Sequence, residues 1–330
     1  MSDLEIEFKK ICESEVPEYW YAYATVRSRL EKSYFPFTRD ALPYRTDHSI
    51  GHVIRIFEKL YAFLKPHLPL ENVPEDRIID VTNLNLLINA TLWHDIGNIY
   101  GQRAEHEKNI NNIFNPVKDF LYDEYCAEWI VKITKAHSGE DAINSAIDRR
   151  TVPLHNTILY PQFLAALLRI TDEIEEDRRR VEGRMISNIP KQHEAYWKFC
   201  IMNESIMPLY DCRTYANRTE ISLRIKISAK FNKKEIWAVW GKNSGKVKGI
   251  EEYIRRIQKI NEERKYCNQF LTLAVYFRMI DGIDLCINIY DEERVVDEIK
   301  FVFDDRNGYN EFFNNNGVRG ILEKYNPVRT

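Results

Sequence analysis

The segment Leu92-Trp93-His94-Asp95-Ile96-Gly97 limits what this chain can fold into, because an imidazole and a carboxylate stand side by side inside an otherwise apolar run. Burying both removes hydration that only a cation, an ion pair or dense hydrogen bonding replaces. The pair therefore demands partners from elsewhere in the chain and a fold that brings them to one point.

Candidate partners occur at intervals suited to a helical bundle. His52 opens the apolar series Val53, Ile54, Ile56, Phe57, Leu60, whose three- and four-residue steps predict an amphipathic helix. Asp172 ends the run Phe163-Leu164-Ala165-Ala166-Leu167-Leu168-Arg169-Ile170-Thr171, which predicts a buried helix too short to span a bilayer. Between them lie His106, within Ala104-Glu105-His106-Glu107, and His137, within Ala136-His137-Ser138-Gly139-Glu140. Together these four histidines and two aspartates are suitable N and O donors for a divalent metal.

The order His52, His94-Asp95-Ile96-Gly97, Asp172 resembles the H…HD…D signature of the HD superfamily of metal-dependent phosphohydrolases. Gly51-His52-Val53-Ile54-Arg55-Ile56 is similar to the first ligand helix of that superfamily, and Leu164 to Asp172 is similar to the last. The resemblance covers residues 40 to 185. Within the superfamily, Asp47-His48-Ser49-Ile50-Gly51-His52 and the shape of the last helix look most like the branch found in bacterial conflict and defence operons.

The resemblance implies a first metal held by His52, His94, Asp95 and Asp172. His106 and His137 stand where phosphodiesterase-type members carry additional histidines, which implies a second ion with Asp95 as the bridge, so one or two ions per chain are expected. A pair of cations can clamp both the attacking and leaving oxygens of a phosphoester, which one cannot. Histidine-rich ligation favours Mn, Fe, Co or Ni over the oxygen-preferring Mg. Many members carry lysine directly after the HDIG sequence, where this chain has Asn98. Lys135, Arg169 and the run Arg178-Arg179-Arg180 are the replacement cations to consider, with Asp95, Lys135 and Arg169 as the expected catalytic set. His48, four residues before His52, is expected outside the ligand set, facing the ligands or the substrate.

Each reading competes with a plainer one. His94 and Asp95 could be a buried hydrogen-bonded pair, although His52 and Asp172 weigh against that. His106 among Glu105, Glu107 and Lys108 reads equally as a solvated helix residue, and His137 before Ser138-Gly139 as a surface histidine at a helix stop. His67, His155 and His193 read as solvated. Three consecutive arginines beside Glu173, Glu175, Glu176 and Asp177 read first as ion-paired helix surface.

Composition bounds the class. The 330 residues suffice for one large or two ordinary domains. With 47 basic against 50 acidic side chains, there is no basic surplus for coating a duplex. A short, locally bound oligonucleotide is still compatible. Cys12, Cys126, Cys200, Cys212, Cys267 and Cys286 form no C-x-x-C pair, which speaks against a zinc ribbon and for free thiols in a reducing cytoplasm. Met1 to Lys10 lacks the apolar core of a signal peptide, and no membrane association is expected.

The texture changes once along the chain. Helical periodicity runs from about residue 4 to residue 208, and Glu220-Ile221-Ser222-Leu223-Arg224-Ile225-Lys226-Ile227 then alternates as a half-buried strand does. Further strands are expected at Glu235 to Trp240, Asp284 to Tyr290 and Glu298 to Phe303, with a turn at Gly241 to Lys246 and a helix from Gly249 to Asn268. The expected fold is mainly α: an HD-type helical bundle over 1–208 and a smaller C-terminal α+β domain over 209–330, serving as substrate lid, oligomerisation surface or docking site for an operon partner. The function implied is hydrolysis of a nucleotide phosphoester or phosphoanhydride. Competing readings are a deoxynucleoside triphosphate triphosphohydrolase, a nucleotide sensor without turnover, and a single-strand nuclease. The Tyr19-Trp20-Tyr21-Tyr23 cluster is read as core or partner contact rather than as a platform for bases.

Overall fold

A computed structural model describes residues 1–41, 46–68, 79–100, 106–115, 118, 121, 123–154, 157–181, 189–215, 218–240, 247–272, 277–305 and 317–326. The chain divides into two compact units: Met1–Asp172 with Cys267–Arg278, and Glu173–Tyr266 with Met279–Thr330. The fold is mainly helical, with a smaller C-terminal α+β part.

The first unit contains α1 (Asp3–Glu15), α2 (Pro17–Ser33), α3 (Phe35–Ala41), α4 (Ile50–Leu64), α5 (Val81–Trp93), α6 (His106–Phe114), α7 (Glu124–Lys135), α8 (Ala142–Ala146) and α9 (Pro161–Glu173). At its centre is α5. Every residue from Val81 to Trp93 is buried, so this helix has no solvent face and packs against α1, α2, α4 and α7. A helix buried on all sides must satisfy its polar groups internally. Asp80 caps its first turn through Asn83, whose Nδ2 also donates to the Ile158 carbonyl at 2.9 Å. Ile158 belongs to a short hairpin of β1 (Val152–Leu154) and β2 (Thr157–Leu159).

Amphipathic α4 has its buried side at His52, Val53, Ile56, Phe57, Leu60, Phe63 and Leu64, matching the periodicity of its sequence. Tyr19 and Tyr23 of the aromatic cluster are buried, with Tyr23 donating to Glu5 Oε1 at 2.7 Å, whereas Tyr21 is exposed. His67 is half-buried rather than solvated, its ring 5.2 Å from that of Phe277. His155 lies outside the described residues, and His193 is partly buried.

The second unit is built on a sheet of order β3-β4-β5-β6, formed by Asn203–Tyr215, Arg218–Asn232, Ile280–Asp291 and Arg294–Asp304. Two antiparallel pairs flank a parallel β4–β5 pair, which requires a crossover connection. That connection includes α11 (Lys233–Trp237) and α12 (Gly249–Leu271), preceded in the chain by α10 (Lys191–Met202) and followed at the end by α13 (Gly317–Lys324). Odd-numbered Leu223, Ile225, Ile227, Ala229 and Phe231 form one buried row on β4, in register with Ile283, Leu285, Ile287 and Ile289 on β5. From α12, Tyr253 meets Phe231 edge-on at 4.9 Å and Phe199 of α10 at 5.0 Å, closing the core on that face.

Three sequence expectations need correction here. β3 begins at Asn203, inside the stretch read as helical, because Asn203 to Tyr210 lacks clean alternation and carries Pro208. Proline is tolerated at this place because β3 is an edge strand. Glu235 to Trp240 is not a strand: Asn232 accepts a hydrogen bond from the Lys234 amide and starts the short helix α11 instead. The three arginines form no continuous solvated helix face. Arg179 is held by Asp177, and buried Arg180 donates to the Glu175 carbonyl at 2.8 Å. The expected turn at Gly241 to Lys246 lies outside the described residues. Among the described cysteines, Cys12, Cys126, Cys200, Cys267 and Cys286 are free thiols.

A chain ended at Leu209 loses β4 and leaves β3 as an unpaired strand, and it also loses Cys267–Arg278 from the first unit. Its expected behaviour is aggregation or a melting temperature well below that of the full chain, measured by light scattering and differential scanning fluorimetry.

Candidate metal centre

The site forms where α4, α5 and α9 present one donor group or more each. His52 occupies the first turn of α4, whose N-terminus is fixed by Ser49, the side chain of which accepts from the Gly51 amide. Asp47 secures the preceding turn, accepting from the Ser49 amide at 3.0 Å and from Arg55 at 3.0 Å. Against the cost of burial, the Ser49 hydrogen bonds, Arg55 and His52 hold the Asp47 carboxyl at a pKa of about 2.

At the other end of the central helix, His94 is the C-cap of α5. Helix C-termini leave carbonyls without intrahelical partners. The Thr91 carbonyl accepts from His94 Nδ1 at 2.7 Å, and the Thr134 carbonyl near the end of α7 accepts from His137 Nδ1 at 2.5 Å. A carbonyl can only accept, so Nδ1 of each ring carries a proton, and in His94 this leaves Nε2 as the ring atom that faces the donor cluster. Asp172 closes the set from the last turn of α9.

The donor atoms converge tightly. His52 Nε2 lies 3.1 Å from His94 Nε2, 3.5 Å from Asp95 Oδ2 and 3.2 Å from Asp172 Oδ1. His94 Nε2 lies 3.4 Å from Asp95 Oδ2 and 3.8 Å from Asp172 Oδ1. Donors about 2.1 Å from one transition-metal ion stand roughly 3.0–3.4 Å apart in octahedral or tetrahedral arrangement; the His52–His94, His52–Asp172 and His94–Asp95 spacings fall in that range, the other two are slightly wider, and His52, His94 and Asp172 form one group that could hold an ion. Asp172 Oδ1 is buried and forms no hydrogen bond, although His52 Nε2 is near, and such an orphaned charged oxygen is the mark of an absent positive partner. The residues therefore suit a metal.

Electrostatics agree with the geometry. Burial raises the Asp95 carboxyl, but the facing His48 and His94 outweigh it and hold the group well below the ordinary carboxylate range. Asp172 behaves alike: burial raises it, while His52 and His94 bring it well below and Asp95 opposes them.

Other candidates are placed less centrally. His48 is buried before the start of α4, with Nδ1 2.6 Å from Asp95 Oδ2, and forms a second potential donor group with His52 and Asp95. His137 is buried, its ring 5.2 Å from that of His94, yet it belongs to neither converging group among the described residues. His106 opens α6, but its side chain lies outside the described residues. Arg169 stands one turn before Asp172 and donates to the Gly139 carbonyl at 2.7 Å, bracing the left-handed turn (φ 99°) that follows His137. Lys135 is the last residue of α7, and His137 follows in the turn after the Ala136 cap. Lys135 lines a separate cleft of about 1140 Å³ with Asn111, Tyr125 and Lys132, and none of the clustered histidines or aspartates borders that cleft.

Sequence reasoning left His48 outside the ligand set and read Asn98 only as a missing lysine. Asn98 is fully buried and donates from Nδ2 to Asp95 Oδ1 at 2.9 Å. The available signal was its spacing, three residues after Asp95, which a tight turn brings within reach.

No curated protein and no solved structure matched this chain. A family model, HD-CE, matches residues 42–257. This span exceeds half of the chain and runs well past residue 185, through β4 and into α12, so the likeness extends beyond the helices that hold the site. Because the match contains His52, His94, Asp95 and Asp172 together with the sheet's first strands, the chain belongs to the HD-CE family and carries an HD-type domain.

Proposed function

We propose that this protein is a metal-dependent phosphohydrolase that cleaves a phosphoester or phosphoanhydride of a nucleotide in the cytoplasm. The observation that carries this reading is the convergence of His52 Nε2, His94 Nε2, Asp95 Oδ2 and Asp172 Oδ1, with the last oxygen buried and lacking a hydrogen bond. A divalent ion held there supplies two effects: it lowers the pKa of water near neutrality and neutralises charge on phosphoryl oxygens. Two imidazoles beside two carboxylates favour Mn, Fe, Co or Ni.

The chain's own groups prepare the site. Thr91 locks the His94 tautomer, and His48 and Asn98 orient the Asp95 carboxylate from its two sides. Arg169 is our candidate for orienting substrate phosphates, since it lies one helical turn from Asp172, whereas Lys135 faces another cleft. The likeness of Asp47 to His52 to the conflict-system branch supports a role beside an operon partner or as a homo-oligomer.

Purified protein loaded with Mn and offered nucleotides, cyclic dinucleotides and short oligonucleotides should release a phosphate-bearing product that chelation abolishes. Release of intact triphosphate assigns the triphosphohydrolase reading, oligonucleotide cleavage the nuclease reading, and tight nucleotide binding without turnover the sensor reading. Failure to bind metal at all overturns the proposal.

A further inference from the structure

We infer that Lys259 and Arg256 of α12 are positioning residues for the metal ligand Asp172, which they hold in place by pinning the chain at the end of α9. The inference rests on the metal-centre reading above and goes beyond it by giving residues of the second unit a part in building the centre.

Asp172 is the penultimate residue of α9 (Pro161–Glu173), and the division between the two compact units falls directly after it. The last turn of a helix leaves its carbonyls without intrahelical partners and frays unless something holds it. His94, also at a helix end, is tied by the Thr91 carbonyl. For Asp172 the ties lie in the residues that follow it. Glu173 accepts from Lys259 Nζ through both carboxylate oxygens, at 2.8 and 2.9 Å. Ile174 is fully buried, and the Glu175 carbonyl accepts from Arg180 at 2.8 Å. Glu176 is buried and pairs with Arg256 Nη2. Its carbonyl accepts from Asn203 Nδ2 at 3.2 Å, and Asn203 Oδ1 accepts in turn from the Tyr253 hydroxyl at 2.6 Å.

The anchors on α12 are therefore Tyr253, Arg256 and Lys259, in successive i, i+3 steps. They are themselves held. The Arg256 guanidinium lies over the rings of Tyr196 and Phe199, 4.8 and 5.5 Å from their centroids, and Tyr253 sits in the core between Phe231 and Phe199. A buried ion pair adds little net stability over apolar groups of the same size, and its best-attested use is to fix one arrangement among several. Here the fixed arrangement is that of the residues directly following a metal ligand. The HD-CE match agrees with this division of labour, since it takes in Asp172, Glu176, Asn203 and Tyr253 and ends one residue after Arg256.

The test uses the full chain and Mn(II) as probe, with equilibrium dialysis for affinity and electron paramagnetic resonance for the order of the bound ion. Lys259 is about half-exposed, so Lys259→Met should fold, and its Mn affinity should fall about 10-fold, the lower end of the loss seen when a group that orients a ligand is removed. The spectrum of the bound ion should broaden as the carboxylate loses its fixed direction. Lys259→Arg should restore both. Arg256→Met combined with Glu176→Gln removes the two buried charges together, which leaves no unpaired ion, and should weaken Mn by a similar factor. By linkage, bound Mn steadies the α12 contacts by that same factor and no more, leaving its main stabilisation in the first unit. Lys324→Met, which breaks the ion pair with Asp297 elsewhere in the second unit, is the control and should leave Mn affinity unchanged. Unchanged affinity in folded Lys259→Met, an equal loss in Lys324→Met, or a loss that Lys259→Arg fails to restore overturns the inference while leaving the metal centre intact. Lys259→Met decides alone if the double variant does not fold. Absence of bound Mn from the wild type is a different result, which removes the metal-centre reading and this inference with it.

Discussion

Replacing His94 or Asp95 with alanine is expected to reduce hydrolysis by roughly three orders of magnitude or more, since an ion's several kcal/mol of transition-state stabilisation converts at about 1.4 kcal/mol per factor of ten. The two substitutions differ in their structural cost. His94→Ala leaves a small cavity and frees the Thr91 carbonyl at the end of α5. Asp95→Ala strips a partner from both His48 Nδ1 and Asn98 Nδ2, each buried, and should cost about 1–3 kcal/mol for each stranded group. Asp95→Asn keeps the volume while removing the charge, and it separates the two effects: folding should be retained and metal lost. Elemental analysis, circular dichroism and turnover measured on the same preparations decide the matter. Substantial turnover by a metal-free variant would sink the metal-centred mechanism.

How much of this site was legible in the sequence depended on whether a regular helix connected the residues. His52 and Asp172 stood out because each lies in a buried helix with clear periodicity, and His94-Asp95 because the pair ends a helix with no polar face. His48 was harder to place. Spacing of four residues suggests a shared helix face, but Ser49 caps α4, so His48 belongs to the preceding turn and reaches Asp95 through backbone geometry set by Asp47 and Ser49. Asn98 lies in the short helical turn Ile96–Tyr100, where side-chain direction does not follow from α-helical periodicity.

The same distinction explains the second unit. Alternation made β4 and β5 readable because their buried rows are continuous, from Leu223 to Phe231 and from Ile283 to Ile289. β3 is an edge strand with partly exposed Met207 and Leu209, and its pattern is correspondingly weak. The acidic stretch Glu173 to Asp177 reads locally as intrahelical pairing, and Arg179 and Arg180 do take up Asp177 and Glu175. Two of its members instead find partners far along the chain, Glu173 with Lys259 and Glu176 with Arg256 on α12. Ion pairs across 80 residues or more leave no local signal.

Removal of metal should lower the thermal stability of the first unit selectively. An ion bound by the native state and not by the unfolded chain stabilises by about 2.7 kcal/mol at a free concentration of 100 Kd and about 4.1 kcal/mol at 1,000 Kd. For a unit of this size a kcal/mol corresponds to roughly 2–4 °C, so saturating Mn should raise the transition by about 10 °C over chelator-treated protein. The donor set strengthens the expectation, because Asp95 and Asp172 are both held ionised in a buried site and repel one another when no cation lies between them. In scanning calorimetry the Mn-dependent shift should belong to one transition. Among the described residues, Met1–Asp172 contains all the converging donors, and the sheet of the second unit contributes none. Asp172→Ala should abolish the shift, since it removes the buried carboxylate oxygen that meets His52 and His94 in the cluster. An unmoved transition in wild-type protein at saturating Mn would mean that the convergence of these side chains is satisfied without an ion.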